Sequence, residues 1–207
     1  SINPRFLDGS FFLKDNNQKI MSTDFYSKRR SVLAKKMSNK EIPKDDLKKI
    51  LAAGIRVPDH GALNPWKIKV ITGKKLKFID EEIILKEFKK QNPNSTPVQL
   101  ELESNRFQRA GAILAVISTP VEHPKIPEWE MLLSSGAVCM NLLSCAQSLG
   151  YAGQWLTEWY AYNHRMLEFL GGNIDKDRIS GFIYLGHKTE EPNERRRPDP
   201  EKIISYV

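Results

Sequence analysis

The feature that most constrains the fold is an uncharged stretch from Met131 to Thr157, in a chain whose residues are 28% charged. It is long enough to cross a bilayer, but it is broken at Gly150 and Gly153. It also carries polar side chains, at Ser134, Ser135, Asn141, Ser144, Gln147 and Ser148. That polarity is too high for a membrane span. A helix that is apolar over most of its circumference is usually buried in a core or at a subunit interface. We therefore predict a buried helix over residues 130–149, with a subunit interface along it.

The rest of the chain alternates between helical and strand patterns. Residues 112–117 form a continuous apolar run, as expected for a central strand covered on both faces. The apolar spacing predicts further helices at about 24–37, 45–55, 73–89, 97–109 and 162–170. It predicts strands at about 66–71, 112–118, 179–185 and 202–206.

No internal repeat or boundary divides the chain, and 207 residues suffice for one domain with a sizeable core. Helices that flank a small sheet make a three-layer sandwich. We predict an α+β fold of that kind, with a small mixed β-sheet, as a single domain over residues 24–207. Residues 1–23 are predicted to be an N-terminal arm with enough apolar surface to wrap a partner subunit.

A polar loop joins a predicted helix to the first long strand, from Arg56 to Trp66. Pro58 ends the helix, and Gly61 permits a close approach of the backbone. A cation, an imidazole, an amide and an indole thus share one short connection, in Arg56, His60, Asn64 and Trp66. Two explanations stay open: a ligand-binding loop, and an ordinary connection whose polar residues face water.

A second polar group, Arg29-Arg30-Ser31, lies within the predicted helix 24–37. Guanidinium forks bind phosphate through paired hydrogen bonds, and a serine hydroxyl adds a neutral donor. Lysines surround the tripeptide, at positions 28, 35 and 36. Taken alone, it is better explained as the solvated basic face of a helix.

Arg29-Arg30-Ser31, followed by Arg56-Val-Pro-Asp-His60 and Asn64-Pro-Trp66, resembles the nitroreductase family, and within it the small single-domain NAD(P)H nitroreductase branch. The resemblance covers roughly residues 24–207. It continues through the segments 127–130, 131–148, 150–155, 179–186 and 198–200. Each motif is short, but their order and spacing together are specific.

The resemblance implies an intertwined homodimer with FMN sites at the subunit interface. It assigns the FMN phosphate and ribityl chain to three residues, Arg29, Arg30 and Ser31. It assigns further flavin contacts to Arg56 and His60, one of which reaches the cofactor of the partner chain.

The resemblance also assigns flavin contacts to Trp155, Leu156 and Thr157. Related sequences carry a basic residue and a serine where Leu156 and Thr157 stand, so this chain departs from the family pattern at Leu156. The segment from Cys145 to Gly150 aligns with the part that binds the nicotinamide nucleotide, through Cys145, Ala146, Gln147, Ser148, Leu149 and Gly150. The same segment is explained equally well as a buried helix that ends at a glycine.

The implied function is an FMN-dependent oxidoreductase. Such an enzyme takes a hydride from NAD(P)H and reduces a nitro compound, a quinone or a related acceptor by a ping-pong mechanism. The protein binds, orients and electrostatically tunes the flavin. No Ser-His-Asp or Cys-His set is evident, so we nominate no catalytic residue and no metal site. Arg56 is one candidate for a positive group that stabilises the reduced flavin.

Two other functions stay open: a flavin-binding or flavin-handling protein with little turnover, and a basic interaction protein without cofactor. A net charge of +7 favours anionic ligands of either kind. No nucleic-acid-binding spacing appears, so nucleic acid is not an expected partner. The two cysteines fit a reducing compartment, and we expect a cytoplasmic protein without a membrane partner. The expected partners are a second copy of the chain and a small-molecule electron acceptor.

Overall fold

The computed structural model describes residues 23–207, so the predicted N-terminal arm lies outside the described residues except for its last position. The strands are β1 (Met37–Ser38), β2 (Trp66–Thr72), β3 (Ala112–Ser118), β4 (Ala152–Leu156) and β5 (Arg178–Lys188). The helices are α1 (Thr23–Lys28), α2 (Lys44–Gly54), α3 (Lys74–Ile79), α4 (Leu85–Gln91), α5 (Pro97–Glu103), α6 (Glu128–Ser148), α7 (His164–Phe169) and α8 (Pro200–Ile203).

The strands form one sheet in the order β1-β5-β3-β2, and β4 pairs with β5 beside β1. All four pairings among the described residues are antiparallel, whereas a mixed sheet was predicted. Strand β3 is buried along its whole length, as predicted for a central strand. The sheet places β4 at an outer edge, where one side of its backbone is paired with β5.

The core lies on both faces of the sheet. Alternate side chains of β3 point to opposite faces, so Ile113 and Ile117 join one apolar cluster while Leu114 and Val116 join the other. The first cluster includes residues of α3 and α7, and the second includes residues of α2 and α6. Helices therefore cover the sheet on both sides, which confirms the predicted three-layer α+β sandwich.

Helix α6 contains most of the uncharged stretch of the sequence, and it packs against α2 and the sheet. Gly54 at the end of α2 lets the two helices approach, because a Cβ there would overlap the Leu142 side chain. Along α6, a face with Trp129, Leu132 and Leu133 is exposed, at 62%, 42% and 60%. Among residues 23–207, no helix combines the length and apolarity that crossing a membrane requires.

Three predicted elements differ from the structure. The helix predicted over 24–37 ends at Lys28, because Val32 N donates to Gly153 O at 3.0 Å and draws the following segment along β4. The helix predicted over 97–109 ends at Glu103, where the Asp80 carboxylate accepts from the N–H of Phe107 at 2.7 Å. The strand predicted over 202–206 is replaced by α8 and an exposed tail.

Candidate functional site: an arginine cavity beside strand β4

The segment Arg29–Ser31 has no regular secondary structure and lies between the end of α6 and β4. Arg29 Nη1 donates to Gln147 Oε1 at 3.4 Å, and Gln147 Nε2 donates to Arg30 O at 2.6 Å. Ala34 N donates to Gln154 Oε1 on β4 at 2.6 Å. These bonds hold the tripeptide outside any helix, so its side chains do not form the helix face that the sequence suggested.

The C-terminal tail closes over this segment and forms an open cavity of about 670 Å³ with it. Arg30 Nη2 donates to the backbone oxygen of Asn193, and Arg197 Nη1 donates to Arg29 O at 3.3 Å. The cavity is lined by Arg29, Arg30, Ser31, Arg195, Arg196, Arg197, Pro198, Asp199, Lys202 and Ile203. Six of these ten side chains are cationic, so the cavity attracts anions.

One carboxylate, Glu194, faces two of these arginines. Its Oε1 lies 3.1 Å from Arg197 Nη2 and 3.6 Å from Arg30 Nε. A hydrogen bond from Arg195 N–H, together with the charges of Arg197 and Arg30, lowers the pKa of Glu194. Glu194 is therefore held as an anion beside two arginines that line the cavity.

Two neighbouring arginines are close enough to Arg29 to affect the pKa of its guanidinium. Burial, and then the charges of Arg197 and Arg30, lower the pKa of the Arg29 guanidinium. Arg30 Nε is buried and has no hydrogen-bond partner among the described residues, because 3.6 Å to Glu194 is too long for one. A buried donor without a partner costs free energy, which a bound anion would recover.

The outer edge of β4 continues from this cavity. Gly153 O accepts from Val32 N, so the peptide groups of Gly153 face away from β5. Peptide groups alternate in direction along a strand, and those of Trp155 therefore face the same outer side. The Trp155 side chain lies over Gly181, and its Nε1 donates to Ser180 O at 3.1 Å. Leu156 packs against the core, whereas Thr157 is exposed.

The segment from Cys145 to Gly150 is the last turn of α6 and the residues after it. Gln147 is the member of this segment that contacts Arg29 and Arg30. The structure thus brings two predicted groups together, the tripeptide 29–31 and the segment 145–150, through Gln147. The third segment, 155–157, begins two residues beyond Gly153, which is bonded to Val32.

The loop that holds Arg56 and His60 lies elsewhere, against the other end of α6. Ser134 Oγ donates to Pro58 O at 2.8 Å, and Asn141 Nδ2 donates to Arg56 O at 2.9 Å. His60 Nδ1 and Glu130 Oε2 are 2.7 Å apart. Both the Arg56 and the His60 side chains are exposed.

This loop has an unusual backbone. Gly61, Ala62 and Asn64 have φ angles of 72°, 52° and 48°. A non-glycine residue in the left-handed region costs about 1–3 kcal/mol and persists only when its surroundings determine it. Here Asp59 Oδ2 accepts from Asn64 N at 2.7 Å, and the bonds from Ser134 and Asn141 anchor the loop to α6. Strained, tightly anchored loops of this kind concentrate at ligand sites.

His60 and the arginine cavity lie apart within one chain. Glu130 contacts His60 and Gln147 contacts Arg29 and Arg30, and the step of 17 residues from Glu130 to Gln147 along α6 corresponds to about 25 Å. Arg56 is nearer to the cavity, because its carbonyl oxygen accepts from Asn141, six residues before Gln147 on α6.

No site role was predicted for the C-terminal residues that line the cavity, which are Arg195, Arg196, Arg197, Pro198, Asp199, Lys202 and Ile203. The run Arg195-Arg196-Arg197 concentrates positive charge, but only the path of the backbone shows that the tail returns to Arg29–Ser31. Gln147 was predicted as part of the nicotinamide segment 145–150, and nothing in the sequence indicated its bonds to Arg29 and Arg30.

The chain is similar to known proteins over most of its length. The sequence model of the "Nitroreductase family" matches residues 26–187. The chain is 28% identical over 166 residues to "Putative NAD(P)H nitroreductase YdjA" of Escherichia coli strain K12, an alignment that covers 78% of this chain and 87% of that protein.

Solved structures share the fold. A nitroreductase-like family protein from Bacillus cereus has a TM-score of 0.75 at 22% identity, over 90% of this chain and 98% of that one. A nitroreductase with bound FMN from Bacteroides fragilis NCTC 9343 has a TM-score of 0.65 at 22% identity, over 89% and 97%.

Proposed function

Because the chain belongs to the nitroreductase family, we propose that it is an FMN-dependent oxidoreductase that takes a hydride from NAD(P)H. The acceptor is a nitro compound, a quinone or a related small molecule, and the mechanism is ping-pong. The name of YdjA includes NAD(P)H, and the Bacteroides fragilis structure contains FMN. These similarities support the proposal, and the chemistry of the cavity supplies an independent argument.

The observation that carries the proposal is the buried Arg30 Nε, which has no hydrogen-bond partner among the described residues, in a cavity lined by arginines. A phosphate monoester is a dianion with three acceptor oxygens, and guanidinium forks and a hydroxyl match those oxygens. Arg29, Arg30, Ser31 and Arg197 therefore fit the phosphate of FMN. In this proposal the phosphate takes the place of the Glu194 carboxylate.

The outer edge of β4 fits the polar edge of the flavin ring. The outward-facing peptide groups of Trp155 have no hydrogen-bond partner among residues 23–207, so they offer one donor and one acceptor two residues beyond Gly153, and Thr157 adds a hydroxyl. Leu156 can contribute packing alone, because its side chain faces the core. We propose Trp155, Leu156 and Thr157 as the segment against the ring, with the polar contacts at Trp155 and Thr157.

FMN, when bound, supplies the two-electron redox chemistry that protein side chains lack. The residues of the chain bind and orient it, and the nearby cations complement negative charge on the ligand. We propose the segment from Cys145 to Gly150 as the neighbour of the nicotinamide nucleotide, since Gln147 ties it to the arginine cavity.

We propose that the working form is a homodimer with two cofactor sites at the interface. Two facts support it: the exposed apolar face of α6, and the separation of about 25 Å along α6 between the His60 contact at Glu130 and the cavity contact at Gln147. In a dimer that pairs α6 of both copies in opposite directions, His60 of one copy reaches the arginine cavity of the other, and Arg56 remains a proposed flavin contact. The single domain over 24–207, the arm over 1–23 and a cytoplasmic location remain predictions.

Purified protein tests the proposal directly. A yellow protein whose flavin absorbance near 450 nm (roughly the position for any oxidised flavin) bleaches with NADH or NADPH under argon, and recovers on addition of a nitroaromatic or quinone, would support it. Bound flavin that is not reduced would favour a flavin-handling protein. A colourless protein that does not take up added FMN would refute the proposal.

An arginine variant checks the phosphate seat. We expect Arg30→Ala to keep the fold and to lose FMN on dialysis, whereas riboflavin binding, which needs no phosphate seat, should change little. Equal FMN retention by the variant and the parent would remove Arg30 from the site.

A further inference from the structure

The pair His60–Glu130 joins the strained loop to the first turn of α6. The two residues are 70 positions apart, and His60 Nδ1 lies 2.7 Å from Glu130 Oε2. A carboxylate can only accept a hydrogen bond, so Nδ1 carries the proton and donates it to Glu130. The bond made by one ring nitrogen fixes which nitrogen is left for other partners, and here that is Nε2.

The loop around His60 is built to hold one geometry. Glu130, Ser134 and Asn141 recur at helical spacing on the same side of α6, and each bonds to the loop. Two bonds reach backbone oxygens, whereas the bond from Glu130 reaches a side chain. Ser134 and Asn141 thus hold the backbone of the loop, whereas Glu130 orients the imidazole.

Exposure of the pair argues against a purely structural contact. The His60 and Glu130 side chains are 62% and 34% exposed, and exposed ion pairs contribute little to stability. A strained loop kept for such a small contribution is better explained by a ligand at the free nitrogen. The neighbouring charged residues, Arg56, Asp59 and Glu128, form no hydrogen bond with His60 among the described residues.

We propose that Glu130 is a positioning residue that fixes His60 in its Nδ1–H form and so presents Nε2 to the FMN bound by the partner subunit. The ligand in this inference rests on the proposed function. The hydrogen bond between His60 and Glu130 forms in the chain without cofactor, so it can be tested in cofactor-free protein.

Nitrogen-15 NMR of the histidine rings in the cofactor-free protein tests the contact. At a pH where the ring is neutral, we expect the parent protein to show Nδ1 protonated and Nε2 unprotonated. Glu130→Ala should shift His60 toward the Nε2–H form that an unconstrained neutral histidine side chain prefers, while Glu130→Gln, which keeps an acceptor, should retain the Nδ1–H form. Glu128→Gln, with the same charge change two residues away, is the matched control. An unchanged tautomer in Glu130→Ala would overturn the proposal.

Titration with FMN tests the consequence. Glu130→Ala should weaken FMN binding roughly three- to tenfold, and Glu130→Gln should restore most of it. A loss of the same size in Glu128→Gln, or no rescue by glutamine, would overturn the positioning role. Failure of the parent protein to bind FMN would instead refute the proposed function, and the tautomer comparison would still decide whether Glu130 orients His60.

Discussion

The Gln147 side chain fixes Arg30 across 117 positions of sequence: its Nε2 donates to the Arg30 carbonyl oxygen at 2.6 Å. The other atom of the same amide, Oε1, accepts from Arg29 Nη1 at 3.4 Å. One half-buried amide therefore sets the backbone at one arginine and the side chain of the other. The geometry of the anion cavity depends on the end of α6 as much as on the arginines themselves.

We predict that Gln147→Ala loosens the cavity. The Arg30 carbonyl loses its donor, which should lower the free energy of unfolding by about 1–2 kcal/mol and weaken FMN binding about tenfold. Urea unfolding and FMN titration measure the two effects. Ser148→Ala is the control, because the Ser148 hydroxyl bonds within its own helix, to Cys145 O at 2.7 Å. Identical behaviour of the two variants would exclude Gln147 as an anchor.

We predict that Glu194→Gln tightens anion binding. Glu194 Oε1 competes with an incoming phosphate for Arg30 and Arg197, so its neutral isostere should raise the affinity for FMN and for inorganic phosphate roughly two- to fivefold. The gain should shrink as salt is added. Glu191→Gln makes the same charge change in the same tail, next to Lys188, and should have a smaller effect. Weaker binding by Glu194→Gln would show that Glu194 supports the cavity.

We predict that Gly181→Ala displaces the Trp155 indole. A Cβ at Gly181 would overlap the ring, and such overpacking costs about 1–3 kcal/mol. The near-ultraviolet circular dichroism should change along with the stability. Gly136→Ala is the matched control, because a Cβ there would meet the same indole at 3.9 Å, an ordinary contact. The indole position is refuted if both variants leave the spectrum unaltered.

We predict that Asp80 makes the protein less stable as pH rises from about 4 to about 6. Burial outweighs the hydrogen bonds from Phe107 and Gln108 and raises the pKa of Asp80 from 3.8 to about 6. The folded state then binds more protons than the unfolded state within this window, so the free energy of unfolding falls with rising pH, by at most about 3 kcal/mol.

Urea unfolding at pH 4 and pH 7 measures this loss. Asp80→Asn cannot titrate and should show a smaller difference between the two pH values than the parent. Glu81→Gln, an exposed neighbour, should behave like the parent. The same pH dependence in all three proteins would mean that Asp80 has an ordinary pKa.

The apolar spacing of the sequence predicted those helices and strands whose bounds depend on nearby residues. The bounds of α2, α6, β2 and β3 were each predicted within two residues, because their apolar spacing is regular and breakers flank them. Strand β4 was not predicted: it is short, contains Gly153, and exists because the edge of β5 is available. The tail after residue 200 has strand-like composition but no partner strand among residues 23–207, so the strand predicted from its composition was wrong.

The candidate site was predicted less evenly. The flavin contacts of Arg29–Ser31 and Trp155–Thr157 come from the family resemblance and stay predictions. Val32, which follows the first segment, is hydrogen-bonded to Gly153, two residues before the second. The helix predicted around Arg29–Ser31 was wrong, because this tertiary hydrogen bond draws the chain to β4 after Lys28. The contribution of Arg197 could not be predicted, since nothing local indicates where a charged tail folds back.

The separation of His60 from the arginine cavity along α6 has a genetic consequence. In the proposed dimer each cofactor would be held by the arginine cavity of one copy and the His60 loop of the other. A mixed dimer of an Arg30-defective copy and a His60-defective copy would then contain one doubly damaged centre and one intact centre. Two alleles that are each inactive alone would complement one another in the same cell, up to half the wild-type number of centres per mixed dimer.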